Sequence, residues 1–166
     1  MYFNKIFYTY IIIVIIICIL FIPIIMNSNY KNLLLDNYLI WPTPSSHTIT
    51  CPFGQRTSPT KGASSFHTGI DIGASYGSNI VAAESGTVIL ASYGWNGSYG
   101  NYIIINHGNG ITTRYAHASK LYVTTGQTVT KGQVIAAVGE SGRAYGAHLH
   151  FEVRKNGSHT NPLNYL

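Results

Sequence analysis

A chain of 166 residues, with 9% charged residues and a formal net charge of +5, has room for one modest domain plus an appendage, not for several domains. It carries no basic run and no interleaving of basic with aromatic residues, which excludes a nucleic-acid partner. Of its two cysteines, Cys18 lies inside an apolar run and Cys51 stands alone beyond it, which excludes an intradomain disulfide.

Residues 6–26 read "IFYTYIIIVIIICILFIPIIM" without a charge, and about 20 helical residues cross a bilayer. Lys5 on the N-terminal flank favours a cytoplasmic N-terminus over residues 1–5 and an exported remainder. The competing reading is a cleaved signal peptide. Its apolar core would be shorter, about 7–15 residues, and Asn27-Ser28-Asn29 offers no small-x-small cleavage site. Run length and flanks favour an uncleaved anchor in the cytoplasmic membrane, single-pass, with the rest of the chain on the cell-wall side.

Residues 27–40 form a short stem. At about 3.5 Å per extended residue it cannot reach beyond roughly 50 Å, so the domain acts near the membrane. "WPTPSS" (Trp41 to Ser46) marks a domain edge with two prolines in an extended segment, giving a domain over residues 41–166. The exported part holds nine Lys and Arg (ten less Lys5) against five acids, a mildly basic surface suited to an anionic matrix such as a bacterial wall. Cys51 is expected to be a buried thiol. The abundance of Ile, Asn and Tyr points to a bacterium with an AT-rich genome.

From Thr48 onward, short runs rich in Val, Ile, Thr and Tyr alternate with glycine-bearing turns, as in "NIVAAESGTVILAS" and "GQTVTKGQVIAAVG". Seven or more brief strands predict an all-β domain, a compact antiparallel sandwich or barrel-like fold. "HGNG" and "KNG" predict hairpin turns. No long helical period occurs after residue 46.

"GAHLHFEVRK", residues 146–155, places two imidazoles in an apolar strand. Residues two apart on a strand share a face, so His148, His150 and Glu152 project together, as do His67, Gly69 and Asp71 in "FHTGIDIG". His117 ends "TTRYAH" beside Tyr115. Taken alone, the two strand histidines read equally as a solvated or hydrogen-bonded pair, and His67 with Asp71 as a structural His beside a turn-forming Asp. His47, His107 and His159, next to turn residues, read as surface side chains. Taken together, two His and one Asp are the kind of three-ligand set that leaves a fourth zinc position open, with two histidines left to handle protons.

The stretch from Trp41 to Leu166 closely resembles the lysostaphin/LytM-type zinc metallopeptidases, a family of peptidoglycan endopeptidases. The resemblance rests on "WPTP" leading to "CPFGQR", then "FHTGIDIGASYGSNIVAAESGTV", "YGNYIIINHGNGITTRYAH", "GQTVTKGQVIAAVGESG", "GAHLHFEVRKNG" and the closing "NPLNYL". It implies zinc bound by His67, Asp71 and His150, one ion per domain, and catalysis beside it by His117 and His148. It implies attack on an amide carbonyl of a wall peptide, with Lewis-acid activation by the metal, stabilisation of the oxyanion by the metal and one of the two further histidines, and transfer of the water's proton toward the leaving amine by the other. Some members use a tyrosine on the loop before the first ligand, but Arg56 to Phe66, "RTSPTKGASSF", contains none. Arg56 is expected to make a structural pair. Glu152 reads either as a surface strand carboxylate or as an orienting partner for a ligand imidazole.

The expected function is a membrane-anchored zinc metalloendopeptidase that hydrolyses stem or cross-bridge peptides of peptidoglycan during cell-wall remodelling. The alternative is a membrane-tethered partner-binding or scaffold protein of division or sporulation with little or no turnover, docked to a protein of the wall-remodelling machinery. Turnover separates the two. A carbohydrate-binding β domain is a third class, and it would have no use for the ligand set.

Overall fold

The computed structural model describes residues 39–58 and 64–166. The expected N-terminal segment, the anchor over 6–26 and nearly all of the stem over 27–40 lie outside the described residues. No helix among the described residues is long and apolar enough to cross a membrane.

The described chain is built from short strands, beginning with β1 (Thr48–Cys51), β2 (Gly54–Gln55), β3 (Phe66–His67) and β4 (Ile70–Gly73). Next come β5 (Asn79–Val81), β6 (Gly86–Ser92), β7 (Asn101–Gly108) and β8 (Ile111–Ala118). The last are β9 (Lys120–Leu121), β10 (Thr128–Val129), β11 (Val134–Ala137), β12 (His148–Lys155) and β13 (Ser158–Thr160). The helical pieces among the described residues are two three-residue 3-10 turns, Asn96–Ser98 and Pro162–Asn164. All strand pairs are antiparallel.

The main sheet runs β1-β4-β12-β8-β7-β6-β10, with β13 also paired to β12. A three-stranded sheet, β5-β11-β9, and the β2-β3 pair complete the fold. The all-β antiparallel expectation holds, in an unequal form: a broad sheet and a small one share a single core. Ile70 and Ile72 of β4, Ile103 and Ile105 of β7, and Leu149, Phe151 and Val153 of β12 cluster with Ile80 of β5, Leu121 of β9 and Ile135 of β11.

Two long hairpins follow from turn chemistry. Asn109 and Gly110 join β7 to β8 with φ of 49° and 76°, the left-handed pair that a tight two-residue hairpin needs and that Asn-Gly supplies. Asn156 and Gly157 (φ 50° and 83°) do the same between β12 and β13.

Tyr115 on β8 anchors the core. Its ring tilts against Phe151 at 5.3 Å, and its oxygen accepts hydrogen bonds from the Ala83 amide and the Thr113 hydroxyl at 2.8 and 2.9 Å. Burial pushes its phenol up to about 12. On β12 the alternation is strict: Leu149, Phe151 and Val153 enter the core while His148, His150 and Glu152 point to the other face, as strand parity requires.

Candidate metal centre

Strand register brings the donors together. β12 lies between β4 and β8, with His150 opposite Asp71 on one side and Ala116 on the other. His67 closes β3, three residues before β4 starts. His67 Nε2 lies 3.1 Å from Asp71 Oδ1 and 3.0 Å from His150 Nδ1, and the latter two are 2.8 Å apart.

The opposite ring atoms determine what this triangle is. His67 Nδ1 sits 2.8 Å from the Pro52 carbonyl oxygen, which can only accept, so Nδ1 carries the hydrogen and Nε2 a lone pair. His150 Nε2 lies 3.2 Å from the fully buried Glu152 carboxylate and likewise donates. Three acceptor atoms therefore converge at about hydrogen-bond distance. A single proton on His150 can be shared with Asp71, and a bound cation would be held by all three. Bonds of about 2.0–2.1 Å in a tetrahedral zinc site imply donor separations of roughly 3.3–3.4 Å, a few tenths longer than those seen. Two imidazole nitrogens and one carboxylate oxygen fit a divalent metal of the zinc type.

Cys51 also belongs to this neighbourhood. Its sulfur, a His67 ring nitrogen and an Asp71 oxygen lie within 4.8 Å of one another. The expectation of a buried thiol is corrected: Cys51 is half-buried at the rim of the centre, because β1 pairs with β4 and sets Cys51 opposite Asp71. Arg56 pairs as expected, with Nη1 3.0 Å from the Cys51 sulfur and 3.9 Å from Asp71 Oδ2.

His117 and His148 join the same cluster. Their rings stand 4.7 Å apart, and His117 is 5.9 Å from the ring of His150. His117 Nδ1 donates to the Ser141 carbonyl at 2.7 Å, and His148 Nδ1 to the Gly146 carbonyl at 2.8 Å. Each ring is thereby left with Nε2 for other work, and His148 Nε2 is 3.8 Å from Asp71 Oδ1. His117 holds a left-handed backbone, φ 63°, unusual for a non-glycine residue and typical of functional positions. All five residues singled out in the sequence line one groove of about 650 Å³, together with Cys51, Arg56, Tyr99, Arg143 and Tyr145.

The electrostatics follow burial and partners. Burial lowers the basicity of His117, and repulsion from His148 adds to it, so the ring titrates at about 4 and is neutral near pH 7. Burial disfavours charge on His150 too, but hydrogen bonds to Asp71 and Glu152 outweigh it and raise the ring to about 9. Burial likewise opposes ionisation of Asp71 and Glu152. Their histidine partners, with Arg114 at Glu152, overcome it and hold both carboxyls well below the usual range.

Of the two readings of Glu152, the surface carboxylate is the one that falls. The side chain is a buried hub. Its Oε1 accepts from Thr68 Oγ1 at 2.6 Å and from Tyr99 Oη at 2.7 Å, and its Oε2 from Arg154 at 3.2 Å. Arg114 Nη1 lies 3.5 Å away and covers the Tyr99 ring at 4.2 Å. The shared parity of His148, His150 and Glu152 was the signal for this. Nothing in the sequence marked Tyr99 or Thr68. Of the remaining histidines, His47 is exposed and stacks on Trp41 at 5.0 Å. His159 is exposed 3.7 Å from Glu152. His107 is half-buried, bridging the Ser85 carbonyl and the Thr113 hydroxyl at 2.9 and 2.7 Å.

The profile of peptidase family M23 matches residues 65–162. A curated relative from Neisseria meningitidis serogroup B, the "DD-carboxypeptidase/endopeptidase Mpg", is 42% identical over 115 residues, covering 69% of this chain and 26% of that protein. The "murein hydrolase activator NlpD" of Salmonella dublin is 38% identical over 133 residues, covering 75% of this chain and 35% of that protein. The chain thus spans about a quarter to a third of the length of these relatives. Among solved structures, a zinc-containing peptidase from Vibrio cholerae superposes with a TM-score of 0.69 at 33% identity, covering 77% of this chain and 40% of that one.

Proposed function

Because the chain belongs to peptidase family M23, we propose that it is a zinc metalloendopeptidase that hydrolyses stem or cross-bridge peptides of peptidoglycan. It works outside the cytoplasmic membrane, held there by residues 6–26. The observation that supports this most directly is the acceptor triangle of His67 Nε2, Asp71 Oδ1 and His150 Nδ1, with two more imidazoles beside it.

In this reading His67, Asp71 and His150 hold the ion, Pro52 and Glu152 fix which ring nitrogens face it, and His117 and His148 move protons. When bound, zinc supplies Lewis-acid polarisation of the scissile carbonyl and makes water more acidic. His117 is neutral near pH 7 with its Nδ1 hydrogen committed to Ser141, so its Nε2 lone pair accepts the proton of the attacking water. That proton then passes toward the leaving amine by way of His148, whose ring lies 4.7 Å from that of His117. Both transfers are of the kind worth about 10²–10⁴-fold each.

The test is digestion of purified peptidoglycan by the zinc-loaded protein, with released muropeptides identified by mass spectrometry. New amine and carboxyl ends are expected, lost on chelation and restored by zinc. Intact walls of several chemotypes after treatment with a folded, zinc-loaded protein would overturn the proposal. That outcome would favour the second reading, a tethered partner-binding protein, which the 38% identity to a murein hydrolase activator keeps in view.

Glu152→Gln gives a separate expectation. The amide keeps the shape but can turn an N–H toward His150 Nε2 and loses the charge that orients the ring. Zinc affinity should fall about 10–100-fold, the usual effect of losing such a partner, measured by competition with a chromophoric chelator. Unchanged affinity would deny Glu152 that role.

A further inference from the structure

We propose that Cys51 supplies a thiolate to the same metal as a fourth protein donor, so that the resting centre is a Cys-His-His-Asp set. This rests on the reading of His67, Asp71 and His150 as metal ligands.

Two backbone ties place the thiol. The β1–β4 register sets Cys51 directly opposite Asp71, and residues paired across antiparallel strands carry their side chains on the same face. The next residue, Pro52, holds His67 through its carbonyl. One end of β1 therefore both positions a ligand ring and presents sulfur to it, and the three potential ligand atoms of Cys51, His67 and Asp71 lie within 4.8 Å of one another.

The surroundings suit an anionic sulfur. Arg56 Nη1 stands 3.0 Å from it and 3.9 Å from Asp71 Oδ2, so one guanidinium faces both the sulfur and the carboxylate. The charge balance agrees: two neutral imidazoles, one carboxylate and one thiolate neutralise a divalent ion, whereas the three-donor set leaves one positive charge. On coordination the S–H bond breaks, its proton passes to solvent and a metal–sulfur bond forms, with no change of oxidation state. A soft sulfur donor favours zinc over the hard cations magnesium and calcium, and four protein donors close a position that an open catalytic centre leaves to water or substrate. Substrate would then displace the thiolate, not a water.

The probe is Co²⁺, loaded into the full-length protein in detergent and into its Cys51→Ser variant. The wild type should show an intense near-ultraviolet thiolate-to-cobalt charge-transfer band beside the weaker visible ligand-field bands. Cys51→Ser should lose the first and keep the second. Its zinc affinity, from chelator competition, should fall by at least the roughly tenfold that loss of an outer-shell partner causes. Cobalt held in the wild type without a charge-transfer band would overturn the proposal and leave the three-ligand reading standing. So would a band that survives in Cys51→Ser, since the only other thiol is Cys18. Failure of both proteins to bind cobalt or zinc would overturn this proposal together with the reading beneath it.

Discussion

Alanine at His117 is expected to slow peptidoglycan hydrolysis by about 10³-fold, within the 10²–10⁴ range for loss of one general acid–base group, and to leave zinc bound. The corresponding rise in the barrier is about 4 kcal/mol. Asp71→Ala is expected to abolish hydrolysis and to lose the metal as well. The contrast follows from position. Asp71 Oδ1 is 3.1 and 2.8 Å from the two ring nitrogens that face it, so its removal dismantles the triangle. His117 touches the triangle only through ring packing, 5.9 Å from His150 and 4.7 Å from His148, and its own hydrogen bond goes to Ser141. Metal content by atomic absorption, taken with hydrolysis rates on the same preparations, separates the two effects. If His117→Ala lost its zinc too, His117 would belong to the ligand set. If it retained full activity, the proton-transfer role would be wrong.

Much of this was legible in the sequence because strand parity is a simple rule with few exceptions. His148, His150 and Glu152 fall on one face of β12 because the other face carries Leu149, Phe151 and Val153 into the core. Asn109-Gly110 and Asn156-Gly157 declared their hairpins because few other pairs adopt two left-handed conformations in succession. The three residues on His67, Asp71 and His150 came together through family resemblance and not through parity, since parity orders residues along one strand and says nothing of which strands are neighbours.

What stayed hidden depended on that neighbourhood. The half-buried position of Cys51 beside the centre follows from β1 pairing with β4, which no local pattern in "TITC" reveals. Glu152 could still be read as a surface carboxylate because the residues that bury it, Thr68, Tyr99 and Arg114, come from three distant segments. A buried carboxylate is tolerable only with such partners, and the partners become visible only after the sheet is assembled. That β5, β11 and β9 form a sheet of their own was hidden for the same reason: these strands are two to four residues long, and which strands pair is not written in any one of them.

Gly69→Ala should be strongly destabilising. Gly69 lies between His67 and Asp71, where β4 comes up against β12, and a Cβ there would stand 2.2 Å from the Phe151 carbonyl oxygen, 2.9 Å from its carbon and 3.1 Å from Glu152 Cγ. Two of these neighbours are backbone, which cannot swing aside as a flexible side chain would. Relief requires moving β12 away from β4, and that disturbs the His150–Asp71 register and the packing of Phe151 on Tyr115 together. Overpacking of an ordinary core position costs about 1–3 kcal/mol. A clash with fixed backbone belongs in the rarer class above roughly 4 kcal/mol, a large part of the 5–15 kcal/mol that holds a typical domain together. Gly77→Ala is the control: it has positive φ, 82°, but nothing within 4 Å of the added carbon, so backbone strain of about 1–2 kcal/mol is its whole effect. Urea unfolding of the two variants should therefore differ by several kcal/mol, with zinc retention lost only at Gly69. Equal midpoints would mean that β4 and β12 can separate without penalty, and the close approach on which the centre is built would not be what holds its donors in place.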